Sequence, residues 1–244
     1  MDVALSAGDI PIIQYWHEPT PPDDVALLIR SVRLNNPDRR YILFNEHSAV
    51  DFIEEHFTAR EVRAFRTCAD HAMQADYLRY CVVLTLGGVY LDVDFRCIGS
   101  FTPLISDARA GKLFQKENGP IINSCFIFTR VSHPLLELVI ECATTNIERR
   151  MVENVWLTTG PFIFTWLYDR LRHGSLELEQ GPLAKVQAPL LDVVGNYARL
   201  ERVFADVRIS PYESSQSVVE SAGQSVAYKR GDTHWHRRTA SIFK

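Results

Sequence analysis

Two aspartates, Asp92 and Asp94, close a short apolar run, and a second charged pair, Asp76 and Arg79, lies just upstream. In extended chain, residues two apart leave the same face with Cα atoms roughly 6.6 Å apart. Two carboxylates placed that way can share one divalent cation, or divide between a cation and a hydroxyl. Asp76 and Arg79 are three apart, which on a helix puts both on one face with about 4.5 Å of rise between them. A guanidinium grips anionic oxygens with a rigid fork, and carboxylates accept hydrogen bonds from sugar hydroxyls. Together the four groups suit a polyhydroxylated ligand that carries phosphate.

The elements that must bring them together lie within Ala72 to Phe95, AMQADYLRYCVVLTLGGVYLDVDF. No Pro or Gly interrupts Ala72–Leu86, and Met73, Tyr77, Tyr80/Cys81 and Leu84 recur at helical spacing, on a face other than that of Asp76 and Arg79. Gly87 stands where a helix takes a left-handed C-terminal residue. Val89-Tyr90-Leu91 is β-branched, aromatic and apolar, which predicts a short buried strand with the aspartates at its end.

ADYLRY followed by LGGVYLDVDF resembles the signature of sugar-transferring families with a DXD motif: fungal mannosyltransferases, related bacterial capsule-type transferases and the glucosylating clostridial toxins. Asp76, Arg79, Gly87, Gly88, Tyr90, Asp92 and Asp94 all match that pattern. The resemblance implies a single α/β domain of GT-A type over 1–244, a Rossmann-like mixed sheet flanked by helices. It implies a nucleotide-binding half at about 9–96, an acceptor half at about 97–230, and a tail, 231–244, folded over the donor site. Catalytic roles fall to Asp76, Arg79 and Asp92, with Tyr90 beside the donor, and Mn²⁺ or Mg²⁺ is held by Asp94 and Asp92.

The likeness reaches further along the chain. Ile10-Pro11 through Trp16 matches the family's opening, where the tryptophan stacks on the nucleotide base; burying area at a rim would equally account for Trp16. Asn123 precedes a core strand near the donor. Gly160, in Thr-Gly-Pro, either lets the backbone approach an anion at a helix start or simply precedes a helix with Pro at its first position. His133, before Pro134, reads as a helix-start residue rather than a ligand. His234 or His236 is the implied third metal ligand, and an imidazole tilts the preference toward Mn²⁺.

Composition agrees with a soluble α/β enzyme. The chain has 244 residues, 46% hydrophobic and 23% charged, with a net charge of −4 and no dense Lys/Arg run, so neither nucleic acid nor an anionic membrane is indicated. No apolar run approaches a membrane span, and the start lacks the features of a signal peptide. The five cysteines are unclustered and odd in number, which fits free thiols and a cytoplasmic location.

Ile10–Trp16, the helix following Asp23 or Asp24 as its cap, and Arg40–Phe44 make a strand–helix–strand opening of a parallel sheet. Thr58-Ala59-Arg60-Glu61 is a capping box. Lys112–Gln115 and Cys125–Phe128 read as strands, and helices follow from Leu135 and from Phe162. Ala184–Val186 and Arg202–Ile209 read as strand-like pieces.

The function that follows is metal-dependent, retaining transfer of a hexose from a UDP- or GDP-linked donor to an acceptor hydroxyl, as in polysaccharide biosynthesis. A haloacid-dehalogenase-type phosphatase also places Asp-x-Asp after an apolar strand, but near its start, and Phe95 replaces its usual Thr or Val. A non-catalytic sugar-nucleotide-binding protein is the other rival, and the intact four charged residues argue against it.

Overall fold

The structure is a computed structural model that describes residues 5, 9–150, 153–174, 184–230 and 241–244. The opening folds as read: β1 (Ile12–Tyr15), α1 (Asp23–Asn35) and β2 (Tyr41–Phe44), with β1 and β2 parallel. The start of α1 differs in detail. Pro22 occupies the cap position without a side-chain bond, and Asp23 and Asp24 sit in the first turn, where their charge favours the helix N-terminus. Two short helices follow, α2 (Glu46–His56) and α3 (Ala59–Thr67), and the Thr58/Glu61 capping box is present.

The central helix, α4 (His71–Leu86), leads into β3 (Gly88–Leu91). Gly87 has φ +63°, so its positive φ ends the helix as expected, but its ψ of −172° sends the chain straight into the strand. α4 is buried on all sides, including Met73, Gln74 and every residue from Asp76 to Val83. A helix enclosed this way must satisfy its polar side chains internally. The strand stops at Leu91: Asp92 N donates to Ser124 O, and Asp92–Asp94 then turn into β4 (Phe95–Cys97). The two aspartates are therefore not consecutive same-face residues of extended chain. They follow a turn because β4 leaves the main sheet to pair with β8 (Val219–Ser221).

After α5 (Thr102–Ser106) come β5 (Gly111–Gln115), β6 (Ile121–Phe128), α6 (Pro134–Arg149), α7 (Val155–Thr158) and α8 (Phe162–His173). Then α9 (Ala184–Val194) and α10 (Tyr197–Phe204) precede β7 (Val207–Pro211). Residues 184–186 are thus helical, and 202–204 end a helix, where strand-like pieces were expected. The main sheet runs β2-β1-β3-β6-β5-β7, with β6 antiparallel to both of its neighbours and the other pairs parallel. This is the mixed sheet flanked by helices that was expected.

Alternation along β3 splits the core. Tyr90 joins the large cluster with α4, α6 and α8, whereas Val89 and Leu91 join the cluster on the opposite face. His133 caps α6 through Nδ1, which accepts from Leu135 N at 3.2 Å, as its position before Pro134 suggested. Its other ring nitrogen faces Asp206 Oδ1 at 3.0 Å.

Candidate active site

The order β2-β1-β3 reverses direction at β1, because α1 carries the chain to one side and β3 returns on the other. Parallel strands that diverge this way open a crevice beyond their carboxyl ends, where α/β sheets bind ligands. Trp16 follows β1 and Asp92 follows β3, so both stand at that crevice. Gln14, buried in β1, ties the two strand ends: its Nε2 donates to Asp92 O at 3.3 Å and its Oε1 accepts from Tyr41 OH at 2.8 Å.

Beneath the crevice Arg79 is the hub. Its Nη2 lies 3.1 Å from Asp76 Oδ1 and 3.0 Å from Asp92 Oδ1. Nη1 donates to Asn123 O at 2.6 Å, Nε donates to Ala75 O at 3.1 Å, and the guanidinium covers the Tyr90 ring at 4.4 Å. Asp76 is filled in turn: Oδ1 accepts from Asn123 Nδ2 at 2.8 Å and Oδ2 from Thr159 Oγ1 at 3.1 Å. Tyr80 OH closes the network, donating to Thr159 O at 2.8 Å and accepting from Asn123 Nδ2 at 3.0 Å. Asp76 and Arg79 are therefore buried, at 5% and 3% exposure, under the crevice rather than in it.

The exposed member is Asp92, whose side chain keeps 29% of its surface. Its Oδ1 also accepts from Tyr90 OH at 3.0 Å. Burial raises its pKa to about 7, Arg79 opposes the rise, and Asp94 and Asp76 add to it. Burial likewise raises Asp76, against Arg79, Thr159 and Asn123. For Arg79 burial disfavours the charge, but Asp92, Tyr90 and Asp76 overrule it, so the guanidinium stays ionised.

Asp94 offers one buried oxygen, Oδ1, with no hydrogen-bond partner, while Oδ2 is paired with Lys229. An unpartnered, buried carboxylate oxygen beside a second carboxylate is the donor set a hard cation takes. The residues present fit a divalent ion held by Asp94 and Asp92. Among the described residues no third His, Cys, Asp or Glu joins them. His234 and His236, read as the remaining ligands, lie outside the described residues.

Trp16 is 6% exposed and packs with Val25, Ile29 and Val93, and its Nε1 has no partner. Tyr228 meets it edge-on, with ring centroids 5.3 Å apart. Burial raises the Tyr228 pKa, with Asp94 and Asp92 adding to it, which places the phenol beside both aspartates. Neither Tyr228 nor Lys229 was singled out in the sequence, since both lie far along the chain and carry no local motif. Tyr80 and Thr159 stand inside the ADYLRY and Thr-Gly-Pro stretches, but no site role was read for them.

Gly160 has a packing reason of its own: a Cβ there would lie 2.8 Å from Trp156 Cα and 3.0 Å from Trp156 O, in the backbone of α7. Gly160→Ala should therefore cost about 1–3 kcal/mol and lower the melting temperature by several degrees in calorimetry. An unchanged melting temperature with weaker donor binding would return Gly160 to a ligand-approach role.

Three comparisons bear on this geometry. Residues 22–110 match the family described as "Glycosyltransferase sugar-binding region containing DXD motif". That segment resembles a DXD-type glycosyltransferase sugar-binding region. It carries α1, α4, Asp76, Arg79 and both motif aspartates. Inositol phosphoceramide mannosyltransferase 1 of Schizosaccharomyces pombe (strain 972 / ATCC 24843) is 25% identical over 164 residues, covering 64% of this chain and 50% of the relative. Inositol phosphoceramide mannosyltransferase 2 of the same organism is 24% identical over 140 residues, covering 56% and 39%. The chain thus spans half the length, or less, of these curated relatives. A solved structure, PaToxG glycosyltransferase, superposes with a TM-score of 0.51 at 17% identity, covering 87% of this chain and 89% of that one. That likeness gives the fold, the GT-A-type arrangement that the motif implied.

Proposed function

We propose that this chain transfers a hexose from a UDP- or GDP-linked donor to an acceptor hydroxyl, on a glycan or glycoconjugate, with retention of configuration. The observation that carries the reading is Asp94 Oδ1, buried and unpartnered beside Asp92 at the sheet's switch point. A divalent cation bound there, Mn²⁺ or Mg²⁺, would offset the negative charge that the departing nucleoside diphosphate gains. Asp94 and Asp92 would hold the ion, with His234 or His236, outside the described residues, as the further ligand the motif implies. Arg79, Asp76 and Asn123 fix the Asp92 side chain and its charge, a positioning role in keeping with their filled hydrogen bonds. Trp16, with its free indole N–H, receives the base, and Tyr90 holds Asp92 from below. Among the described residues the crevice carboxylates, Asp92 and Asp94, are given to the cation rather than to covalent attack, so the acceptor would attack from the leaving-group face and give its proton to the departing phosphate.

The names of the curated relatives make mannose the first hexose to try. Among the described residues no helix is long and apolar enough to cross a membrane. All five cysteines are buried free thiols, which supports a reducing, cytoplasmic setting.

The test is incubation with UDP- and GDP-hexoses in the presence of Mn²⁺, followed by release of nucleoside diphosphate and label in an acceptor glycan. Release with one donor supports transfer. Hydrolysis of simple phosphate esters would favour the phosphatase, and donor binding without turnover the binding protein.

The raised Asp92 pKa makes a pH prediction with a definite sign. Below about 7 a proton competes with the cation for this carboxylate. Mn²⁺ affinity should therefore climb between pH 5 and 7, by up to about tenfold per pH unit for one released proton, and level off above. Titration calorimetry in a pH series checks it, and a flat profile through that range would remove Asp92 from the ligand set.

A further inference from the structure

The divalent-ion site has a cation of its own. Lys229 Nζ is paired with Asp94 Oδ2, and the other oxygen of that carboxylate stands unpartnered. The Lys229 side chain keeps 19% of its surface, and Asp94 keeps 10%, so the pair sits at the mouth rather than in the core. Its segment is anchored at this place. Ala227 N donates to Asp24 Oδ2 at 2.7 Å, Tyr228 lies edge-on to Trp16, and Ala222 N donates to Asp94 O at 2.8 Å. The turn that carries Lys229 therefore stays over the crevice when its ammonium moves on its flexible four-carbon stem.

Charge bookkeeping gives the pairing a purpose. Among the described residues, the cations paired with Asp76, Asp92 and Asp94 are Arg79 and Lys229, which leaves one formal negative charge on this set. Exchanging Lys229 for a divalent ion neutralises the cluster, and the released ammonium remains above it, where a diphosphate bound to that ion would extend.

Building on the proposed metal-dependent transfer, we propose that Lys229 is an exchangeable counter-ion. It neutralises Asp94 in the metal-free protein, yields that carboxylate to the divalent cation, and then pairs with the donor's diphosphate. The two halves make opposite demands on one substitution.

Titration calorimetry on the full chain compares wild type, Lys229→Met and Lys229→Arg. Without nucleotide, Lys229→Met should bind Mn²⁺ about tenfold more tightly, the scale of one partly buried ion pair no longer in competition. With Mn²⁺ saturating, the same variant should bind UDP or GDP about tenfold more weakly, for loss of one charge-assisted contact. Lys229→Arg should follow wild type in both. Equal Mn²⁺ affinity in wild type and Lys229→Met overturns the exchange and leaves the metal site standing. Absence of Mn²⁺ binding in every form overturns both. Unchanged nucleotide affinity overturns the diphosphate contact. If Lys229→Met does not fold, acetylation of wild type read by mass spectrometry decides: labelling of Lys229 should rise severalfold when Mn²⁺ is added, and constant labelling overturns the proposal.

Discussion

Asp94→Asn should abolish metal-dependent turnover, by at least about 10³-fold, while leaving the melting temperature close to that of wild type. The activity half rests on chemistry: an amide oxygen is neutral and gives up the charge that binds a hard cation. The stability half rests on geometry. Asp94 is only 7% exposed, yet one of its oxygens has no partner, so the ionised form bears a desolvation cost that the amide does not. What is lost is the partly buried pair with Lys229, on the order of 1 kcal/mol because its long side chain can carry the ammonium to solvent. Nucleoside diphosphate release with Mn²⁺ and calorimetry on the same preparation test both halves. Retained turnover with a large fall in melting temperature would make Asp94 a structural carboxylate.

Arg79→Met should do the reverse damage, costing stability first. Arg79 is 3% exposed and links Asp76, Asp92 and the Asn123 carbonyl, so methionine would leave the buried Asp76 and the half-buried Asp92 without their cation. Breaking a buried pair from one side costs about 3–5 kcal/mol. At about 2–4 °C per kcal/mol for a chain of this size, the melting temperature should fall by about 10 °C. The loss should be greatest above the raised pKa of Asp92, about 7, and shrink as pH falls and the carboxylates take up protons. Arg79→Lys keeps the charge but not the fork, and should fall between the two. Wild-type melting in Arg79→Met would show that the network beneath the crevice does not hold the site.

The legible features of this chain were local. Thr58 and Glu61 close a capping box within one turn, His133 precedes its proline as a cap, and Gly87 takes a positive φ where the helix must end. Each depends on neighbours a few residues away, so residue type and spacing carry the information. Strand and helix were confused where local cues disagree with packing. Ala184–Val194 is a helix with Pro189 inside it, part of the core that includes α6, although Ala184–Val186 reads as a strand-like piece.

The four charged residues, their motif spacing and the α/β core were written in the sequence, because helix and strand periods and a glycine turn fix them locally. Tertiary structure alone decided how those charges are shared out. Arg79 and Asp76 went under the floor with Tyr80, Asn123 and Thr159, Asp92 reached the crevice, and Asp94 turned away to meet Lys229. The reason is that β4 leaves the main sheet for β8, which bends the chain at Asp92–Asp94. Contacts between residues tens to more than a hundred positions apart have no signature in either local neighbourhood, so only the folded chain reveals them.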